Sequence, residues 1–111
     1  MEVGLDSQAM ARLFNDPTRL RRKYGEERAK NILLRLTQID AALCLEDLCK
    51  LPQARCHQLK ANRDEQFSLD LDGPYRLIVE IADAPVPRTD DGGIDRRDVT
   101  RLLVVEVTDP H

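Results

Sequence analysis

His57, Lys60 and Arg76 carry the functional groups that chemistry on a phosphodiester needs, with Arg55, Arg63, Asp109 and His111 in support. RNA can be cut without a metal. A 2′-hydroxyl loses its proton and attacks the adjacent phosphorus, and an acid protonates the departing 5′-oxygen. Preorganised cations stabilise the extra negative charge on the phosphoryl oxygens, and arginine suits that task because its fork binds two oxygens at once. A protein working this way must supply a base, an acid and one or two cations. Each candidate also has an ordinary structural reading. His57 reads as a half-buried strand histidine, Lys60 and Arg63 as turn charges, and a C-terminal histidine as a frayed end.

The elements that must position these residues are a hairpin and the segment before it. Gln66 to Leu71 alternates, with Phe67, Leu69 and Leu71 on one side and Ser68 and Asp70 on the other. Tyr75 to Ile81 follows after Asp72-Gly73-Pro74, a turn sequence. Its Leu77-Ile78-Val79 run is apolar on both faces, which puts this strand at the centre of a sheet. Arg55 to Leu59 reads as a further strand. His57 and Lys60 are three apart and fall on opposite faces of a regular strand. Both serve one site only if the chain bends after Leu59, which the polar run from Lys60 to Glu65 permits. Cys56 and His57 are adjacent and point apart on a strand. Nothing resembles G-x-S-x-G, a P-loop or G-x-G-x-x-G, so the serines and threonines add no nucleophile.

Upstream, Met1 to Leu5 alternates weakly as a first strand, and Asp6 is placed to cap a helix with Ala9, Met10, Leu13 and Phe14 as its apolar positions. Asn15-Asp16-Pro17 ends that helix and starts the next, with Asp16 as N-cap and Pro17 in the first turn. After Gly25 a long helix is expected. Its apolar stripe is Ala29, Ile32, Leu33, Leu36, Ile39 and Leu43, with Arg28, Lys30, Arg35 and Asp40 off it. Leu45 to Leu51 adds a short turn of helix that Pro52 ends. Ala82 to Arg97, with two prolines and two glycines, is a loop, and Val99 to Val107 a buried closing strand. Helices lead and strands follow, an α+β pattern rather than an alternating one.

The chain of 111 residues is expected to form one domain over residues 1–111. It is 41% hydrophobic and 33% charged, an ordinary globular composition. No apolar run approaches the roughly 18 residues of a membrane helix, and the N-terminus lacks a basic stretch followed by an apolar block. A cytoplasmic location without membrane attachment is therefore expected. Cys44, Cys49 and Cys56 are odd in number and lack C-x2-C pairs, so they read as free thiols rather than a disulfide framework or a zinc site. Neither metal nor cofactor is expected. The net charge is -3, yet seven basic residues lie between Arg19 and Arg35 against Glu26 and Glu27, while Asp83 to Asp98 holds five Asp against three Arg. Such asymmetry lets one face of an acidic protein attract a polyanion, and a solvated helix face produces the same pattern.

The run LPQARCHQLKANRDEQFSLDLDGPYRLIVE and the closing LLVVEVTDPH resemble the HigB branch of the RelE/ParE toxins of bacterial type II toxin–antitoxin modules. Members carry L-P-x-x-R-x-H/E-x-L-K-G-x-R, then Q-x-S-I-x-L/I-N-x-x-W/Y-R-I/L, and a short acidic-aromatic-His tail. ILLRLTQIDAAL and LEDL extend the likeness upstream. The resemblance implies a RelE-like fold of order β-α-α-β-β-β, with N-terminal helices packed on a small antiparallel sheet. It implies a ribosome-dependent mRNA endonuclease that needs no cofactor. Its partners would be a helix-turn-helix, HigA-like antitoxin, mRNA on the ribosome and rRNA, with operator DNA reached only through the antitoxin. It assigns catalysis to His57, Lys60, Arg76, Asp109 and His111, and leaves Arg55, Arg63, Arg21, Arg22, Lys23 and Arg28 to bind RNA. The chain departs from the family in Pro110, where the tail aromatic would stand, in the long acidic loop 82–97 and in its negative net charge. These departures fit a second reading, a non-catalytic partner-binding or autoregulatory protein on the same scaffold.

Overall fold

In a computed structural model, which describes all residues except Asp64, Pro110 and His111, the chain is an α+β domain. β1 (Glu2–Leu5) leads into α1 (Gln8–Phe14), α2 (Pro17–Tyr24), α3 (Glu26–Ala41) and α4 (Leu45–Cys49). β2 (His57–Gln58), a 3-10 turn (Ala61–Arg63), β3 (Gln66–Asp70), β4 (Arg76–Ile81) and β5 (Arg101–Thr108) follow. The strands form one sheet in the order β1-β5-β4-β3-β2.

That sheet is mixed, which corrects the antiparallel expectation. β2, β3, β4 and β5 pair antiparallel, but β1 runs parallel to β5, with Val3 opposite Leu102. A parallel pair needs a long crossover, and here nearly the whole domain lies between the two strands. The elements also outnumber the six of the expected order, with four helices and five strands among the described residues. β4 does take the middle place that its Leu77-Ile78-Val79 run called for.

Local chemistry sets the helix limits. Asp16 accepts from the backbone N–H of Thr18 and Arg19, with Pro17 in the first turn of α2. Gly25, at φ 87°, ends α2 and precedes α3, a conformation that glycine adopts without steric cost. α1 is capped by Ser7, not Asp6: the Ser7 hydroxyl accepts from Met10 N–H at 3.0 Å. α3 stops at Ala41, so Leu43 leaves the helix and is 81% exposed rather than part of its apolar stripe. Arg35, expected on the solvent side, is buried at 6%.

Phe14, Leu20, Ala29, Ile32 and Ile39 from the helices share one buried cluster with Phe67, Leu69, Leu77, Val79, Leu102 and Val104 from the strands. Because strand side chains alternate, Gln66, Ser68 and Asp70 of β3 lie on the other face. They stand opposite Glu80, Ile78 and Arg76 of β4. A register shift at Ile78/Val79 leaves Glu106 opposite Ile78 and Thr108 opposite Arg76. β2 adds His57 opposite Ser68. The second sheet face is thus a polar row set against an apolar one. The expected loop 82–97 carries an isolated antiparallel bridge, Arg88 to Ile94, and Val99 is buried ahead of β5 rather than inside it.

Candidate active site

A hollow of about 480 Å³ opens on that polar face, lined by His57, Leu59, Arg63, Ser68, Arg76, Ile78, Thr108 and Asp109. Its size suits a nucleotide-sized group. The histidine comes from β2, Ser68 from β3, Arg76 from β4, and Thr108 and Asp109 from the end of the chain.

Arg76 is a fixed cation. Its Nε forms an ion pair with Asp70 Oδ1 at 3.0 Å, and its Nη1 donates to the carbonyls of Gly73 at 3.0 Å and Tyr75 at 2.9 Å. These three contacts set the guanidinium plane, and none of them, among the described residues, uses Nη2. Asp70 also faces Arg55 Nε at 3.5 Å. His57 Nδ1 lies 3.0 Å from the carbonyl of Arg55. A carbonyl only accepts, so Nδ1 carries the proton and, in the neutral ring, Nε2 is the basic nitrogen. Arg63 pairs with Glu106 and donates to Gln66 Oε1 at 3.3 Å. Ser68, 2% exposed, floors the hollow.

The backbone around the site is bent. Arg55 (φ 46°), Ala61 (φ 61°) and Glu65 (φ 71°) are all left-handed and bracket β2 and the 3-10 turn. Non-glycine residues there cost roughly 1–2 kcal/mol each. The bend after Leu59 that a shared His57–Lys60 site requires is present. Lys60 is exposed at that bend and outside the hollow's lining.

The other candidates are placed as follows. His111 lies outside the described residues. Arg21, Arg22 and Lys23 are exposed in the last turn of α2, where cations also complement a helix C-terminus. Arg21 faces Glu26 at 3.8 Å, and the Lys23 ammonium lies 5.5 Å from the Tyr24 ring. Arg28 is committed to structure. It grips Asp72 through two 3.0 Å hydrogen bonds and lies over the Tyr75 ring at 3.3 Å. The Asp72 hydrogen bonds raise its pKa above the ordinary arginine value. Sequence reasoning missed Ser68, Asp70 and Thr108. Ser68 and Asp70 alternate with core residues of β3, a signal that places them on Arg76's face once the register is known.

The sequence matches the family of RelE-like toxins of the type II toxin–antitoxin system HigB over residues 5–90, more than half of the chain. The chain belongs to this family. The matched span of the HigB-like toxin contains His57, Lys60, Arg63 and Arg76, whereas Thr108 and Asp109 join the hollow from beyond it. No curated protein matches the chain. As a type II toxin, the HigB-like chain has an antitoxin as its partner. Among the described residues, no helix is long and apolar enough to cross a membrane.

Proposed function

We propose that this HigB-like toxin is a ribosome-dependent mRNA endonuclease whose active site is the hollow on the open sheet face. The observation that carries this reading is the convergence of His57, Arg63, Arg76 and Asp109, from four separate segments, on one hollow. His57 Nε2 takes the proton of the 2′-hydroxyl, because the Arg55 carbonyl holds the ring in the tautomer that leaves this nitrogen basic. Arg76 stabilises the phosphoryl oxygens through the edge that Asp70, Gly73 and Tyr75 do not occupy. Lys60, exposed at the bend after Leu59, and Arg55 add positive charge along the strand's path. The tail supplies the second proton-transfer group: an imidazolium at His111 suits donation to the 5′-oxygen, and the Asp109 carboxylate suits its orientation. The partner is a helix-turn-helix, HigA-like antitoxin, and the cytoplasm is the site of action.

Expression in a bacterial host without the antitoxin arrests growth on this reading, and His57→Ala or Arg76→Ala relieves the arrest at equal protein level. Unimpeded growth with the wild-type chain, or equal arrest by all three, overturns it.

One observation favours a second reading, a non-catalytic regulatory protein on the same scaffold. Two cations that line the hollow are paired with carboxylates, Arg76 with Asp70 and Arg63 with Glu106. On that reading the chain binds its antitoxin and leaves cellular mRNA uncut after induction.

A further inference from the structure

Cys49 and Cys56 are apart in sequence and together in space. Their Sγ atoms share a hydrogen bond at 3.5 Å. Cys49 ends α4 and is half-buried, and Cys56 is buried directly before His57 of β2. The acidic loop delivers one cation to the pair: Arg96 Nη1 lies 3.7 Å from Cys49 Sγ. The same guanidinium donates to Gln58 Oε1 at 3.5 Å and lies over the Phe67 ring at 5.2 Å. It therefore touches Cys49 and the strand that carries His57 at once. Cys44, which carries the third thiol, stands at the N-cap position of α4 without a side-chain capping hydrogen bond.

These contacts divide the roles of the two sulfurs. The hydrogen bond shared with Cys56 and the Arg96 charge hold the Cys49 thiol below its ordinary pKa, against the opposing effect of burial. The Cys56 thiol is pushed up by the same hydrogen bond and by burial. A half-exposed thiolate beside an arginine is the form of cysteine that reacts with electrophiles, and a buried thiol in contact with it is placed to resolve the product.

We infer that Cys49 and Cys56 form a peroxide-sensitive dithiol whose closure to a disulfide shifts the His57 segment. Cys49 sulfur attacks one oxygen of hydrogen peroxide, the O–O bond breaks, and the released hydroxide takes the proton Cys49 had lost and leaves as water. Cys56 sulfur then attacks the Cys49 sulfenic acid. The S–S bond forms, the S–O bond breaks, and the hydroxyl leaves as water with the Cys56 proton. Two thiols are oxidised by two electrons and one peroxide is reduced to two waters. Closure must bring the sulfurs from 3.5 Å to about 2.05 Å. It also moves the sulfur that Arg96 contacts, and because the same guanidinium holds Gln58, that residue and its neighbour His57 feel the change.

The test uses the full chain, reduced and then treated with one equivalent of hydrogen peroxide. Free thiols are alkylated and the peptides weighed. The expected product is a Cys49–Cys56 peptide lighter by two hydrogens, with Cys44 alkylated. Dithiothreitol reverses it. Arg96→Gln slows its formation roughly tenfold, and Cys44→Ser leaves it unchanged. The His57 ring signal in NMR, assigned with His57→Gln, moves on oxidation of the wild-type chain and stays still in Cys49→Ser, whose fold is checked by circular dichroism. Three alkylated cysteines after peroxide, or a disulfide that uses Cys44, overturns the inference. A Cys49–Cys56 disulfide with an unmoved His57 signal overturns the coupling. Neither readout involves RNA, so the result is independent of the endonuclease reading.

Discussion

Arg35 supports the hollow from behind. Its Nε donates to the Asp70 carbonyl at 2.7 Å, Nη2 to the Gln53 carbonyl at 3.0 Å and Nη1 to Gln38 Oε1 at 3.0 Å. It thereby fastens α3 to the end of β3 and to the segment that leads into β2. Burial lowers its pKa from the ordinary arginine value, and the Asp70 charge opposes that. Arg35→Ala strips two backbone carbonyls of a charged donor and is expected to destabilise the fold by about 2–4 kcal/mol. The midpoint of urea unfolding measures this. An unchanged midpoint would mean that water replaces the arginine. The sequence reading put this residue off the apolar stripe, although spacing alone sets it on the buried face: 35 lies three after Ile32 and four before Ile39, both fully buried. Residue type argued the other way, because an arginine reads as solvated until its acceptors are known. Those acceptors are carbonyls from distant segments, which no local pattern reveals.

The segment from β2 to β3 and the acidic loop behave as a joined unit. Arg88 grips Glu65 through hydrogen bonds of 2.6 and 2.9 Å, just beyond the 3-10 turn that carries Arg63. The Arg88 hydrogen bonds hold the Glu65 carboxyl below its ordinary pKa. A depressed carboxylate contributes stability above the unfolded-state pKa, near 4.3, and loses it as pH falls through the folded value. The Glu65 side-chain NMR titration is expected to have its midpoint below about 4.3 and to return there in Arg88→Gln. A wild-type midpoint at the ordinary value would show that the pair does not persist in solution. The hairpin itself was legible in the sequence, because alternation and Asp72-Gly73-Pro74 specify it locally. The parallel pairing of β1 with β5 was not, since pairing direction leaves no mark on a four-residue strand. Loop 82–97 read as a plain connection, yet it supplies Arg88 to Glu65 and Arg96 to Cys49.

At the scale of the whole molecule, ion pairing is what would let a chain of negative net charge carry the proposed site for a polyanion. Acidic partners fix the cations of the open face in place, so affinity for free RNA should be low, and positioning rather than bulk charge would do the work. On the proposed function, the ribosome would supply what a net charge of -3 does not: a high local concentration of correctly placed mRNA. The hollow also depends on the end of the chain. β5 runs beside the central strand β4 and brings Thr108, with Asp109 after it, to the hollow that Arg76 lines. The sequence pointed to most of these residues singly, while their meeting on one face required the register of four strands. The most direct measurement is of RNA ends. Purified toxin is mixed with mRNA programmed on ribosomes, and with the same mRNA alone. Attack by the 2′-hydroxyl predicts discrete fragments ending in a 2′,3′-cyclic phosphate, formed only with ribosomes and reduced at least about 100-fold by Arg76→Ala or His57→Ala. Intact mRNA, or fragments that both variants produce as fast as the wild-type chain, would contradict the assignment of the hollow as the active site.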